Sequence, residues 1–337
     1  MPKKEKGTIK VSNINDEKSH KHPFHTKLCD LLNIEYPIIQ GALGGGVSGA
    51  DLTAAVSNAG GLGVLAAWGL SMDKLRVAIR QTRDLTSKPF ALNIMPVNRP
   101  FTQSRTELAI EEGIEIVTTG RGDPRAPIIK LLKSHGIKVL GVVPTVRHAL
   151  RLEAEGVDAL VASGCEAGGH VGKVSTMPLI PQVVDAVKIP VVAAGGIMDA
   201  RGFLAALALG ACGVQMGTRF MAAEESAALP EEKQRIVEAG EEDTVVTEIF
   251  TGKPVRVISS PRLNSLLKAM KDGLSPEETR ARILELRKKK KTQEPGYNSV
   301  TSGQGAGLIH EILPAGEIVR QIITEAQTLY KRLDPWA

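Results

Sequence analysis

A chain of 337 residues that is 42% hydrophobic is long and apolar enough to bury a sizeable core, which excludes a disordered polypeptide. At 3% aromatic that core is aliphatic, and the chain is poorly supplied for binding by aromatic stacking. The net charge is +5, but the basic runs "MPKKEKGTIK" and "RKKKKTQEP" lack the aromatic or glycine interleaving of a nucleic-acid surface, so no nucleic-acid partner is expected.

Residues 1–26 read as a flexible basic leader. The segment has no apolar h-region, and no apolar run of about 18 residues occurs in the chain, so a soluble cytoplasmic protein with no membrane partner is expected. His20, His22 and His25 in "HKHPFH" lie close enough together to hold a metal. Their lysine-rich setting reads instead as exposed surface, and no metal site is assigned. Cys29, Cys165 and Cys212 are widely spaced and form neither a disulfide framework nor a zinc motif.

Residues 27–225 carry eight short apolar runs: "YPIIQGAL", "LGVLAAW", "FALNIMP", "IEIVTTG", "KVLGVVPT", "ALVASG", "PVVAAGG" and "GVQMGTRF". Their starts recur roughly every 25 residues, the spacing of a strand plus a crossover helix. The runs are continuous rather than alternating, as strands buried on both faces must be, so the sheet is predicted to be parallel. Helical period fills the gaps, as at Leu52, Ala55, Val56 and Ala59, and at Ile128, Leu131, Leu132 and His135. Ser71, Thr145 and Asp199 supply start signals, and Pro127 suits a first turn. The prediction is an α/β fold, a (β/α)8 TIM barrel with a C-terminal helical extension. An open doubly wound sheet is the alternative, but no GxGxxG opens a helix after the first strand.

Residues 226–300 read as a mostly helical insertion, including an exposed helical excursion from Leu266 to Lys291 that ends in the run Lys288–Lys291. Residues 301–337 read as a glycine-rich turn, "SGQGAGLI", followed by a helix returning to the barrel. In that helix Ile318, Ile322, Ala326 and Leu329 recur at helical spacing.

In such a barrel the site lies at the carboxyl ends of the strands. The residues predicted there are Gln40 and Gly41, Asn93, Thr118 to Gly120, Ser163 through His170, Gly195 and Gly196, and Gly217 and Thr218. Glycines after the seventh and eighth strands expose backbone N–H groups that bind a phosphate dianion. No GxxxxGK[ST] occurs, so a mononucleotide fits better than a nucleoside triphosphate. Asn93 and Gln40 can each donate and accept, which suits a heterocycle such as a flavin. His170, within "CEAGGHVGK", sits where glycines let a loop close over a flat cofactor. As a side chain that exchanges protons near neutrality, it is the candidate catalytic residue.

These motifs together resemble the flavin-dependent nitronate monooxygenase (2-nitropropane dioxygenase) family, whose close relative is the flavin-dependent enoyl-acyl-carrier-protein reductase. The likeness is carried by "YPIIQG", "NAGGLGVL", "ALNIM", "IVTTG", "GCEAGGHVG", "AAGGI", "QMGTRF" and "GQGAGL". It implies a TIM barrel with non-covalent FMN. Gly41, Asn93, Ser163, Gly168, Gly195, Gly196, Gln215, Met216, Gly217, Thr218 and Gln304 are the expected cofactor contacts, with His170 as the active-site histidine. Two departures stand out: the family commonly has glutamine where this chain has Ser163, and methionine where "QGALGGGVSG" offers Ala42 and Leu43.

The resemblance implies oxidation of alkyl nitronates by oxygen to carbonyl compounds and nitrite. The alternative is an NAD(P)H-dependent FMN reductase of enoyl thioesters or quinones. A phosphate-sugar isomerase would want a lysine or carboxylate at a strand end, for which only Glu166 is available. A non-catalytic flavin carrier leaves His170 without a purpose. The expected partner is a small-molecule substrate, and a homodimer is left open.

Overall fold

The computed structural model describes residues 22–120, 126–275, 277–279, 281 and 300–333. His20, most of the basic leader and the Lys288–Lys291 run lie outside these residues, as does most of the excursion beyond Asp272. Helix α1 (Lys27–Leu32) precedes the barrel, and strand β1 (Ile38–Gln40) begins it. Then come α2 (Ala50–Asn58), β2 (Gly63–Ala66), α3 (Met72–Leu85), β3 (Phe90–Ile94), α4 (Arg99–Glu111), β4 (Ile116–Thr119), α5 (Ala126–Ser134), β5 (Lys138–Val143), α6 (Val146–Ala154) and β6 (Ala159–Ser163). A two-residue strand, β7 (Gly169–His170), interrupts the alternation before α7 (Thr176–Ala186), β8 (Val191–Ala194), α8 (Ala200–Ala208), β9 (Gly213–Met216) and α9 (Thr218–Met221).

Eight strands pair in parallel in the order β1-β9-β8-β6-β5-β4-β3-β2. A parallel bridge from Ile39 to Leu62 joins the two ends, which closes the (β/α)8 TIM barrel. All eight strands fall in the apolar runs that predicted them. Ser71, Thr145 and Asp199 each cap a helix through the side chain, accepting from Lys74, His148 and Arg201 N–H groups.

Alternate residues along each strand point to opposite faces and so enter different cores. In β6, Ala159 and Val161 join Ile39, Val64 and Val192 in one cluster, while Leu160 and Ala162 join helix residues such as Leu152 and Leu179 in the other. Each fully buried aliphatic side chain contributes roughly 2 kcal/mol, which is why the sheet needs apolar residues on both faces. Leu28, Cys29 and Leu32 of α1 complete the first cluster and plug the amino-terminal end of the barrel.

The leader differs from the expectation at its last residues. Phe24 is buried edge-on against Phe203, with ring centroids 5.4 Å apart. Thr26 Oγ1 donates to Cys212 O at 2.5 Å, and the His22 ring meets Tyr36 edge to face. A lone aromatic in a charged stretch gives no periodic signal, yet it fills a gap between α8 and the C-terminal helix. His25 lies beside Asp30, and no cluster of metal-ligating side chains occurs among the described residues.

After the barrel come α10 (Pro230–Val237), β10 (Thr244–Thr247), β11 (Val255–Ile258) and α11 (Pro261–Lys271). The segment expected to be mostly helical therefore also contains an antiparallel hairpin, and β7 adds to its edge. A short 3-10 turn (Gln304–Leu308) follows, and then α12 (Ala315–Leu333), which packs against α2 and α8 as its apolar stripe predicts. No helix among the described residues is long and apolar enough to cross a membrane.

Candidate active site

At the carboxyl end of β1, Gln40 is fully buried and its amide is committed within the barrel. Its Nε2 donates to Ser48 Oγ at 2.8 Å and also to Gly41 O, while its Oε1 accepts from Val64 N at 2.9 Å. Gln40 therefore pins β1 to β2 and to the loop above, and is not a heterocycle partner. Asn93, buried at the end of β3, donates through Nδ2 to Thr118 Oγ1 at 2.9 Å, and no partner of its Oδ1 occurs among the described residues. Ser163 is buried at the end of β6.

The ends of β8 and β9 run on into a glycine-rich stretch of backbone. Gly195 and Gly196 have φ of +104° and +74°, a left-handed path that L side chains rarely adopt. Among the described residues, the backbone N–H groups of Gly195, Gly196, Gly217 and Thr218 donate to nothing. Unpaired N–H groups at neighbouring strand ends are able to hold an anion. Gly217 also leaves space. A Cβ there would meet only Leu43 Cδ2, at 3.6 Å.

The remaining predicted residues gather around that stretch. Gly41 N donates to Met216 O at 2.8 Å, and the Met216 side chain is buried in the core, so only its backbone faces the site. Gln215 is half-buried one residue earlier. Thr218 Oγ1 accepts from Gly303 N at 3.0 Å, which brings the 3-10 turn and exposed Gln304 alongside. Gly168 is needed for a close approach, since a Cβ there would lie 2.8 Å from the Ser302 carbonyl carbon.

The loop after β6 is held from two sides. The Glu166 carboxylate accepts from Thr176 N at 2.9 Å and from Thr176 Oγ1 at 3.0 Å, and its carbonyl accepts from Gln304 N at 2.9 Å. This carboxylate caps α7, which commits the one strand-end carboxylate that the isomerase alternative had available. On the other side, β11 pairs with β7 so that Val255 faces His170 and Arg256 faces Gly169. Val171 N donates to Pro254 O at 3.0 Å, and Arg256 Nε donates to Cys165 O at 3.1 Å.

Arg256 is buried, and desolvation lowers its pKa from the usual arginine value, with the nearby Cys165 and Glu166 opposing. Burial lowers that of Arg219 too, one residue past Thr218, where Nη2 donates to Glu311 O at 3.0 Å. His170 Nε2 lies 3.0 Å from Thr251 Oγ1, 81 residues further along the chain. The sequence reading missed Arg256 and Thr251. Two β-branched runs, "TVVT" and "VRVI", flanking "TGKP" are the hairpin signal that would have found them.

A cleft of about 410 Å3 lined by Arg83, Lys88, Phe90 and Glu115 opens at the other end of the barrel, where β3 and β4 begin. It shares no residue with the cluster above, which occupies the strand ends where barrel chemistry is built.

Over most of its length this chain is similar to known proteins of one family. Residues 25–325 match the profile of the nitronate monooxygenase family. A protein described as a probable nitronate monooxygenase, from Staphylococcus saprophyticus subsp. saprophyticus, is 34% identical, with 91% of this chain and 99% of that protein aligned. The structure of FabK from Thermotoga maritima superposes with a TM-score of 0.85 at 40% identity, covering 93% of this chain and 99% of that one. The nitroalkane oxidase from Streptomyces ansochromogenes gives a TM-score of 0.80 at 30% identity, covering 91% and 99%. With the match spanning the barrel and the returning helix, this chain belongs to the nitronate monooxygenase family and is an oxidoreductase.

Proposed function

We propose that this oxidoreductase holds FMN at the carboxyl ends of its strands and oxidises alkyl nitronates with oxygen to carbonyl compounds and nitrite. The observation that carries the reading is the set of four unpartnered N–H groups at Gly195, Gly196, Gly217 and Thr218, with open space above Gly217. A phosphate dianion there would satisfy all four without any side-chain cation. When bound, FMN supplies the redox chemistry, accepting an electron from the substrate and passing it to oxygen.

This chain's residues do the rest. Thr218 can donate its hydroxyl hydrogen to the phosphate, because its oxygen already accepts from Gly303 N. Asn93 Oδ1 and the half-buried Gln215 would meet the polar edge of the ring, and Ser163 and Gln304 would flank it. Gly41, Gly168 and the Met216 backbone allow close approach. His170, when protonated, stabilises a bound nitronate anion; when neutral, it takes the carbon-bound proton of a nitroalkane.

Similarity to FabK supports a second reading, NAD(P)H-dependent reduction of an enoyl thioester or quinone at the same site. An anaerobic titration of the purified yellow protein separates the two. Bleaching of the flavin band by a small alkyl nitronate alone is the expected result. Rapid bleaching by NADH or NADPH, with no response to nitronate, would replace nitronate oxidation with the reductase reading. A colourless protein that takes up no FMN would refute both.

A further inference from the structure

The β10–β11 hairpin lies outside the barrel, yet its contacts converge on one short stretch. Strand β11 pairs with Gly169 and His170, Pro254 O receives the Val171 N–H, and Arg256 reaches the Cys165 carbonyl. Arg256 Nη1 also donates to Thr244 Oγ1 at 3.0 Å, which ties both hairpin strands to the same loop. The backbone at His170 is thereby placed from a segment more than eighty residues away.

We propose that Thr251, at the tip of this hairpin, is a positioning residue that holds the His170 ring and selects its tautomer. The Thr251 hydroxyl has one hydrogen, which it directs to Lys253 O at 3.4 Å. Its oxygen, 3.0 Å from His170 Nε2, is then left to accept. With the hydroxyl so directed, Nε2 carries the proton in the neutral ring and Nδ1 is the basic nitrogen. The protonation of one imidazole nitrogen is coupled to the hydrogen bond that the other makes, so this hydrogen bond acts on both ring angle and basic atom. The contribution of Thr251 to turnover rests on the part proposed above for His170, whereas its hold on the ring does not.

The test uses the FMN-loaded protein labelled with 15N-histidine, with the His170 signals assigned by their loss in His170→Gln. Long-range 15N–1H correlation spectra, taken where the ring is neutral, report which nitrogen bears hydrogen. Wild type is expected to show the Nε2–H form. Thr251→Val should give a mixture of tautomers and lower kcat for nitronate by between about tenfold and a hundredfold, with KM changed far less. Thr251→Ser should restore both, which separates the hydroxyl from any effect on hairpin folding. Unchanged tautomer populations in Thr251→Val would overturn the proposal, whatever the turnover. An altered tautomer with unchanged kcat would uphold the hold on the ring and instead remove His170 from the reaction.

Discussion

The backbone N–H of Gly303 donates to the Thr218 hydroxyl at 3.0 Å, joining residues 85 apart in the chain. Thr218 follows the last barrel strand, and Gly303 begins the turn after the excursion. The contact sets the excursion's return against the end of β9. Thr218→Val keeps the shape but leaves a buried N–H unpaired, which costs about 1–3 kcal/mol, and removes a donor from the phosphate. The expected result is a lower melting temperature without flavin and an FMN Kd raised roughly tenfold or more, measured by ultrafiltration. Thr218→Ser should recover most of both. Wild-type affinity in the valine variant would take the hydroxyl out of cofactor binding.

Two glycines at the same mouth should behave in opposite ways. At Gly217 the protein leaves room for a Cβ, and its φ of −98° is open to any L residue. Gly217→Ala should therefore change the stability of the flavin-free protein by no more than about 0.5 kcal/mol. Its affinity for FMN should nevertheless fall, because the methyl occupies the approach to the unpaired N–H groups. At Gly168, a Cβ would press on the Ser302 and Gly303 backbone at 2.8 and 2.9 Å. Gly168→Ala should then destabilise the protein even without flavin. Melting curves with and without FMN read both, and a Gly217→Ala protein with full flavin occupancy would refute the cradle.

His170→Ala tests the histidine apart from the cofactor. The residue lies on β7, held by β11, whereas the unpaired N–H groups belong to the ends of β8 and β9. The variant should stay yellow and keep its affinity for FMN. Loss of a positioned acid or base should lower turnover by about a hundredfold or more. Stopped-flow bleaching by nitronate is the measurement, and a wild-type rate would exclude the side chain from catalysis.

What could be read in the sequence was what repeats. Buried parallel strands need unbroken apolar runs, so all eight were visible, and Ser71, Thr145 and Asp199 marked helix starts because a side-chain oxygen must serve the first turn. The α12 stripe was legible for the same reason. Contacts that depend on the closed fold were not. Gln40 looked like a ligand amide until barrel closure showed Val64 and Ser48 as its partners. Thr251 lies in a turn with no apolar period, and only the pairing of β7 with β11 brings it to His170. Phe24 looked like leader until Phe203 supplied the surface that buries it.

The barrel's outer surface carries an electrostatic clasp whose pH dependence can be worked out. The Glu112 side chain, 6% exposed at the end of α4, faces three arginines of α3. Arg76 Nη1 donates to its Oε1 at 2.6 Å and Arg80 Nη2 to the same oxygen at 3.0 Å, while Arg83 Nη1 lies 3.5 Å from Oε2. Hydrogen bonds from Arg80 and Arg76 hold the carboxyl below its ordinary value of 4.5, outweighing the opposing effect of burial. A carboxyl depressed in the folded state stabilises the fold above its unfolded pKa, and that contribution fades as pH falls through the folded pKa. Glu112→Gln cannot titrate, so the variant should be less stable by about 1 kcal/mol near pH 7, as expected for a partly exposed network. Urea midpoints should show that gap unchanged down to about pH 5.5 and narrowing below about pH 4.5, where wild-type Glu112 takes up its proton. A gap of the same size at low pH would mean that the glutamate acts through shape and neutral hydrogen bonding rather than through its charge.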